Sequence, residues 1–153
     1  MRVRGTEESA RMIRNILDRK GGEVFTILPS ETLRSAAAAM REHEVSALMV
    51  MDGRAPKGII TERDIVQAIS QHGAQALVMG VGTAMSRALI TVTTRDSLRH
   101  AMRLMTVHRV RHLPVVDDGR LVGLVSIGDV VKLRLEDLET ETNVLRDAYI
   151  AHR

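Results

Sequence analysis

The apolar and polar positions of the chain follow one pattern twice, and each copy predicts a strand that leads into a helix. Residues 24–27 and residues 89–92 are short runs rich in apolar and β-branched residues, which is typical of strands. Over residues 31–41 and residues 96–107, apolar residues recur three and four positions apart. That spacing places them on one face of an amphipathic helix.

A hairpin and a second helix complete each copy of the pattern. Residues 47–60 and residues 113–125 each contain two apolar runs separated by a polar turn with glycine, which predicts two antiparallel strands. Helical spacing returns over residues 65–69 and again from Val130 onward. The order strand, helix, strand, strand, helix therefore occurs twice and predicts an α/β fold.

An internal repeat accounts for this duplication. Shifting the sequence by 65 residues lays residues 26–67 on residues 91–132 without a gap. The identical pairs include Leu33 with Leu98, Met40 with Met105, Val45 with Val110, Leu48 with Leu113, Val50 with Val115, Asp52 with Asp117, Gly58 with Gly123 and Asp64 with Asp129. We expect two similar units related by pseudo-two-fold symmetry that cover each other's apolar faces, because one unit alone would be only marginally stable.

The repeat also sets the expected domain organisation. We expect a helical segment at residues 1–22, a first unit at 23–72, a linker at 73–87, a second unit at 88–135 and a helical extension at 136–153. In the long C-terminal helix, a seam of heptad type is formed by Leu135, Leu138, Thr142, Leu145 and Tyr149. Either the body of the same chain or the same helix of a second copy covers this seam, and the second possibility predicts a homodimer.

Composition excludes several classes of function. Cysteine is absent, which excludes disulfides, thiolate nucleophiles and zinc sites with Cys ligands. Phe25 and Tyr149 are the only aromatic residues, too few to stack the bases of a single-stranded nucleic acid. No apolar run reaches the roughly 18 residues of a membrane span, and charges interrupt the N-terminal residues where an export signal would be apolar. We expect a cytoplasmic protein with no membrane partner.

One basic stretch leaves an alternative function open. The net charge is only +3, but residues 97–116 contain no acid and include Arg99, Arg103, Arg109 and Arg111. Such a stretch attracts phosphate. The alternative is a module that associates with nucleic acid through residues 97–116, although the scarcity of aromatic residues makes nucleic acid the less favoured partner.

A hydroxyl and a carboxylate mark the start of the last helix in each unit. Thr61 is followed three residues later by Asp64, and Ser126 is followed three residues later by Asp129. A carboxylate has enough acceptor sites for both ribose hydroxyls, and free N–H groups at a helix start suit a phosphate. The same spacing also forms a capping box. The motif therefore indicates a nucleoside site, a structural cap, or both together.

These residues carry a resemblance to a known family. The strings VSALMVMD…GIITERDI and VRHLPVVDDGRLVGLVSIGDVV resemble the hairpin and signature of cystathionine-β-synthase (CBS) domains, and roughly residues 20–136 resemble a free-standing CBS pair. The resemblance implies a regulatory or sensor module that binds an adenine nucleotide in the cleft between the copies. AMP is the first candidate, ATP, ADP and NAD are alternatives, and an unidentified protein responds to the ligand. The resemblance supplies no catalytic residue.

The resemblance also implies which backbone segments face each ligand. Near Asp129, the backbone around Phe25 and Val45 would read the adenine. Near Asp64, the backbone around Ile90 and Val110 would do so. Pro114 belongs to the signature in the second copy, where the first copy has Met49.

Cationic residues beside the motif predict that the two sites differ. Arg111 and His112 precede the strand of the second hairpin, where the first unit has Ser46 and Ala47, and we expect them to pair with phosphate at the Asp129 site. That site would then be the tighter one and would prefer more phosphate. Arg111 as a solvated residue and His112 as a half-buried one remain the structural alternatives.

Two further cations, Arg63 and Lys132, lie near the helix starts as weaker phosphate candidates. The chain has no H-E-x-x-H motif, no G-x-x-x-x-G-K-S/T loop and no G-x-S-x-G elbow. We therefore expect neither a metal site nor an enzyme activity.

Overall fold

The computed structural model describes residues 11–151. The predictions for residues 1–10, which include the absence of an export signal, lie outside the described residues. The same holds for the last two residues of the predicted C-terminal extension.

The first unit forms a three-stranded sheet with helices packed against it. Helix α1 (Ile13–Lys20) precedes the first unit. The elements of that unit are, in chain order, β1 (Thr26–Ile27), α2 (Leu33–Glu42), β2 (Ala47–Asp52), β3 (Ala55–Thr61) and α3 (Glu62–His72). Strand β2 pairs in parallel with β1 and antiparallel with β3. The central strand β2 is therefore buried between its two neighbours, as its continuous apolar run predicts.

The second unit repeats this plan. A 3-10 turn (Gly73–Val78) and α4 (Val81–Ala84) join it to the first unit, and it continues as α5 (Leu98–His108), β4 (His112–Asp117), β5 (Arg120–Ser126) and α6 (Ile127–Ala151). The β-bulges lie between Val50 and Met51 in the first hairpin and between Val115 and Val116 in the second. The 65-residue shift superimposes these bulges, and the prediction of a tandem α/β repeat is confirmed.

The two first strands are shorter than predicted. Residues 24–27 contain only the two-residue β1, and residues 89–92 contain no strand but a single parallel bridge between Val92 and Val115. In the first unit, the Met49 N–H donates to the Phe25 carbonyl at 3.1 Å. The equivalent residue of the second unit is Pro114, which has no N–H. The bond to the carbonyl of Ile90 therefore cannot form.

Helix α1 packs on the second unit, although it precedes the first one in the chain. Ile13 and Ile16 are buried in the same cluster as Leu113 and Val125 of the second hairpin. The N–H of Ile13 also donates to the carbonyl of Asp96 at 2.9 Å. Part of the helical segment predicted at residues 1–22 is thus built into the core of the second unit.

The predicted linker makes the reciprocal contact. Val81 of α4 is buried in the cluster of the first unit with Ile60, and its N–H donates to the carbonyl of Glu31 at 2.7 Å. Ala76, in the 3-10 turn, belongs to the same cluster. Each unit is therefore completed by the helix that precedes the other unit, which ties the two units together.

Two equivalent glycines permit this close packing. A Cβ at Gly58 would lie 2.6 Å from the carbonyl oxygen of Ser86, and a Cβ at Gly123 would lie 2.6 Å from a methyl group of Leu17. Both distances are too short for a side chain to be accommodated without movement. Glycine therefore occupies the equivalent position of both hairpins, where the chain leaving α4 crosses the first hairpin and α1 crosses the second.

Helix α6 is attached to the body of the protein only over its first part. Ion pairs join Arg11 to Asp137 and Arg19 to Glu136, which fixes this part against α1. Further along, the seam is exposed, with Leu138 43% and Leu145 71% accessible. The body of the chain therefore does not cover the seam within the described residues. No helix within residues 11–151 combines the length and apolar character needed to span a membrane.

Candidate functional site

Two cavities lie between the units, and each is lined by the start of one unit's last helix together with backbone from the other unit. We call them the Asp64 cavity and the Asp129 cavity. Their volumes are about 260 and 320 Å³. The first is lined by Thr61 and Asp64 with residues near Ile90. The second is lined by Asp129 with residues near Phe25.

The start of α3 positions the Asp64 carboxylate through a reciprocal cap. Oδ2 of Asp64 accepts hydrogen bonds from the backbone N–H and the hydroxyl of Thr61, both at 2.8 Å. The backbone N–H of Asp64 in turn donates to the Thr61 hydroxyl oxygen at 3.4 Å. All of these bonds to the carboxylate use Oδ2, and no residue between 11 and 151 donates to Oδ1. The cap therefore fixes the carboxylate and leaves one oxygen for a ligand.

The Asp129 carboxylate is capped in the same way and also has a cationic partner. Its Oδ2 accepts from the backbone N–H of Ser126 at 2.8 Å and from Nζ of Lys20 at 2.8 Å. Lys20 also donates to the carbonyl of Leu124 at 3.0 Å. Burial raises the pKa of Asp129, but the bonds from Lys20 and Ser126 and the Lys20 charge outweigh burial and hold this pKa below its ordinary value. The carboxylate is thus ionised at neutral pH.

Ser46 and His112 form the wall that separates the cavities. The Ser46 hydroxyl and Nε2 of His112 are hydrogen bonded at 2.9 Å, and both residues line both cavities. Burial lowers the pKa of His112; the Asp129 carboxylate opposes this effect, and the charges of Lys20 and Arg111 add to it. His112 is therefore neutral at neutral pH and acts as a hydrogen-bonding partner, not as a cation.

The backbone groups that face the cavities differ between them. Within residues 11–151 the carbonyl of Ile90 accepts no hydrogen bond, whereas the equivalent carbonyl of Phe25 accepts one from Met49. The Phe25 ring also stacks on His43, with 4.0 Å between ring centroids. The Asp64 cavity therefore has an unused carbonyl acceptor beside Val110, whereas the equivalent acceptor of the Asp129 cavity, beside Val45, is partly used.

The structure brings most of the expected site residues together but separates two of them from their expected site. Thr61, Asp64, Arg63, Ile90, Val110 and Pro114 line the Asp64 cavity, whereas Ser126, Asp129, Phe25 and Val45 line the Asp129 cavity. Arg111 lines the Asp64 cavity, so its expected place at the Asp129 site is wrong. The reason is that backbone just before a hairpin faces the helix start of the other unit.

Lys132 lines neither cavity. It lies three residues beyond Asp129 on the exposed face of α6, so its expected place near the helix start does not bring it to a ligand. The location of Arg111 in the Asp64 cavity also removes the reason for expecting tighter phosphate binding at Asp129.

Several charged residues of the cavities were not expected as site residues. Lys20 and Glu23 reach the Asp129 cavity because α1 packs on the second unit, and no local motif signals that contact. Glu44 and Arg109 line the Asp129 and Asp64 cavities, respectively. The 65-residue shift superimposes this pair, so the repeat itself contained the signal. Among residues 11–151 no group of three or more His, Cys, Asp or Glu side chains is arranged to hold a metal ion.

A tandem repeat of this fold, with a cavity at each helix start, defines a class of two-copy modules. The family model of the CBS domain matches residues 13–71 and residues 81–136. The chain therefore belongs to the CBS domain family. The long C-terminal helix continues beyond the matched part.

Known proteins of similar sequence and structure agree with this assignment. The mitochondrial CBS domain-containing protein CBSX3 of Arabidopsis thaliana is 40% identical over 125 residues, covering 78% of this chain and 60% of that protein. A CBS-domain protein of Agrobacterium tumefaciens has 39% identity and a TM-score of 0.80, covering 82% of this chain and 94% of that one. The CBS domain pair of protein MJ0100, in complex with 5′-methylthioadenosine and S-adenosyl-L-methionine, has 26% identity and a TM-score of 0.74, covering 82% and 97%.

Proposed function

We propose that this chain is a regulatory module, without catalytic activity of its own, that binds adenosyl ligands in the Asp64 and Asp129 cavities. The observation that carries the proposal is the pair of capped carboxylates. Each uses Oδ2 for its cap, and each lines a cavity that the other unit completes. A ligand bound there contacts both units, and this gives the molecule a way to report occupancy through their relative position.

The structural role of the caps does not compete with ligand binding. The capping bonds use Oδ2 of Asp64 and of Asp129, and a ribose needs the second oxygen. A carboxylate held by a helix start is also preorganised, because little side-chain freedom is lost when the ligand binds. The ligands bound by the CBS domain pair of protein MJ0100 support an adenosyl compound. AMP, ADP, ATP and NAD remain the nucleotide candidates.

Melting curves with a ligand panel test the proposal. We expect at least one of AMP, ADP, ATP, NAD, 5′-methylthioadenosine and S-adenosylmethionine to stabilise the fold, by about 2.7 kcal/mol at a hundred times its dissociation constant. The matched control is the 2′,3′-dideoxy form of the best ligand, which lacks the hydroxyls that Oδ1 would accept. It should stabilise far less. If no member of the panel acts at millimolar concentration, or the dideoxy form acts equally, the proposal is wrong.

The basic stretch supports small ligands more than nucleic acid. Arg109 and Arg111, which the sequence grouped with Arg99 and Arg103, line the Asp64 cavity, where their charges can pair with the phosphates of a small ligand. Binding of a random duplex with an affinity that falls steeply with salt would favour nucleic acid instead.

We also propose that α6 pairs with the same helix of a second copy. The seam of Leu138 and Leu145 is exposed, and the positions that flank it carry charges of both signs, as Arg134, Glu139, Glu141 and Arg146. In a coiled coil, such flanking positions place opposite charges across the seam.

The cytoplasmic location remains a prediction, and the name of one relative places that protein in mitochondria.

A further inference from the structure

The two cavities share their carboxylate motif but differ in the charges around it. The Asp64 cavity is lined by three cations and two anions, namely Arg63, Arg109, Arg111, Glu62 and Asp64. The Asp129 cavity is lined by one cation and three anions, namely Lys20, Glu23, Glu44 and Asp129. A ligand therefore meets a net positive charge in the Asp64 cavity and a net negative charge in the Asp129 cavity.

This difference arises at positions that the repeat makes equivalent. The 65-residue shift pairs Glu44 with Arg109 and Glu23 with Ala88, and each of these residues lines its own cavity. The same shift pairs Arg111 with the uncharged Ser46. The repeat thus keeps the ribose carboxylate in both units and reverses the charge beside it.

The pair of Glu44 and Arg109 shows this reversal of charge most directly. Both residues have left-handed backbone conformations, with φ of 54° and 53°, which glycine or asparagine adopts at lower cost. Each follows the helix that leads into a hairpin. A long charged side chain at such a position has no advantage for the backbone, which favours a role for the charge itself.

The ion pairs in the two cavities support the same difference in charge. Within residues 11–151, neither Arg63, Arg109 nor Arg111 forms an ion pair, so three guanidinium groups at the mouth of the Asp64 cavity are available to an anion. In the Asp129 cavity, the one cation, Lys20, is already paired with Asp129 at 2.8 Å. Glu23 and Glu44 then remain to repel a phosphate.

From this arrangement we infer that the two cavities select different adenosyl ligands by charge. The Asp64 cavity takes an adenine nucleotide with two or more phosphates, whose oxygens pair with Arg109 and Arg111. The Asp129 cavity takes an adenosyl compound without phosphate, and a cationic tail binds there better than a neutral one. The inference rests on the proposed function, since both cavities must first hold an adenosyl group.

Calorimetry with magnesium-free ATP and with S-adenosylmethionine tests the inference. Two reciprocal double variants exchange the charges between cavities. Arg109→Glu with Arg111→Ser gives the Asp64 cavity the residues of the other one, and Glu44→Arg with Glu23→Ala does the reverse. Because Glu and Arg already occupy the left-handed position in one unit each, the exchange adds no new backbone conformation.

We expect the first double variant to weaken ATP by about tenfold or more, as for the loss of a charge-assisted contact, and to leave S-adenosylmethionine unchanged. We expect the second to weaken S-adenosylmethionine, to leave 5′-methylthioadenosine nearly unchanged, and to leave the original ATP site intact. ATP binding that survives the first variant, or that Asp129→Asn abolishes, overturns the charge assignment alone. If none of the three compounds binds the unmutated chain, the inference is wrong, and the proposed function fails with it only if AMP, ADP and NAD do not bind either.

Discussion

At the scale of single residues, His112 links the two cavities. It bonds to Ser46 and lines both sites, and burial lowers its pKa while Asp129 opposes the shift. Protonation would place a cation in the wall between the cavities, beside Lys20. A neutral imidazole is therefore the form that the folded state requires.

The lowered pKa of His112 predicts a pH dependence of stability with a definite sign. The unfolded chain takes up the proton at the ordinary value of about 6.5 and the folded chain only below it, so acidification below about pH 6.5 favours the unfolded state. The free energy of unfolding should fall there by at most about 1.4 kcal/mol per pH unit from this group, and the contribution should vanish above that range.

Urea denaturation at a series of pH values measures this effect. His112→Gln should remove it and keep a hydrogen-bonding partner for Ser46, whereas His100→Gln, on the exposed face of α5, should leave it in place. An identical pH profile for the unmutated chain and His112→Gln would show that His112 does not titrate as described.

Whether a site residue could be predicted from the sequence depends on how far along the chain its partner lies. The motif Thr61 with Asp64, and its copy Ser126 with Asp129, could be predicted because hydroxyl and carboxylate are three positions apart. The side of the cleft that Arg111 faces could not, because it depends on how the two units are placed. Lys20 contacts Asp129 from 109 positions away, and no sequence spacing encodes such a contact.

At the scale of elements, α1 completes the core of the second unit and α4 completes the core of the first. The periodicity of the sequence predicts most elements, since it reports which face of each is buried. It does not predict that Pro114 prevents the strand at residues 89–92, because the cost appears only when the pairing with Ile90 is known. Nor does it show which unit α1 covers, since an amphipathic helix fits either apolar face.

Because α1 packs on the second unit, truncating a buried side chain of α1 should destabilise that unit. Ile16→Ala should cost about 2–5 kcal/mol as a buried large-to-small change, and hydrogen exchange should show the loss of protection first in β4 and β5. Val81→Ala should do the same to β2 and β3, at a smaller cost. Asp18→Ala, exposed on α1, is the control and should change stability little. Loss of protection beginning in β2 and β3 for Ile16→Ala would contradict this packing.

The two glycines of the crossings predict unequal effects of alanine. A Cβ at Gly58 meets a backbone oxygen, whereas a Cβ at Gly123 meets the end of the flexible Leu17 side chain. Gly58→Ala should therefore cost about 1–3 kcal/mol, and Gly123→Ala less. Thermal unfolding of both variants measures this difference, and equal or reversed costs would mean that the Ser86 backbone moves more easily than Leu17.

At the scale of the whole molecule, α6 is the element that the body of the chain leaves exposed. The proposed pairing with a second copy predicts that Leu138→Asp converts a dimer into a monomer, since a charge would enter the apolar seam at a cost of several kcal/mol. Light scattering measures the mass. Val144→Asp is the matched control, because it lies on the same exposed helix outside the heptad seam and should leave the dimer intact.

The mass of the unmutated chain can also contradict the proposed pairing of α6. A monomeric mass for the unmutated chain at tens of micromolar would show that the seam has another partner. The ligand sites would be unaffected, because both cavities are built within one chain.

All of the binding predictions require that the Asp64 and Asp129 carboxylates each hold the ribose of an adenosyl ligand. Asn at either position keeps a capping oxygen and removes the charge, so the helix start is retained. Calorimetric titration of Asp64→Asn, Asp129→Asn and the double variant, each with the strongest ligand for each cavity, therefore separates binding from folding. We expect each single change to weaken its own site by about tenfold or more and to leave the other site unchanged, and we expect the double change to remove binding at both sites. Undiminished binding to a folded double variant would contradict a ribose contact at these carboxylates.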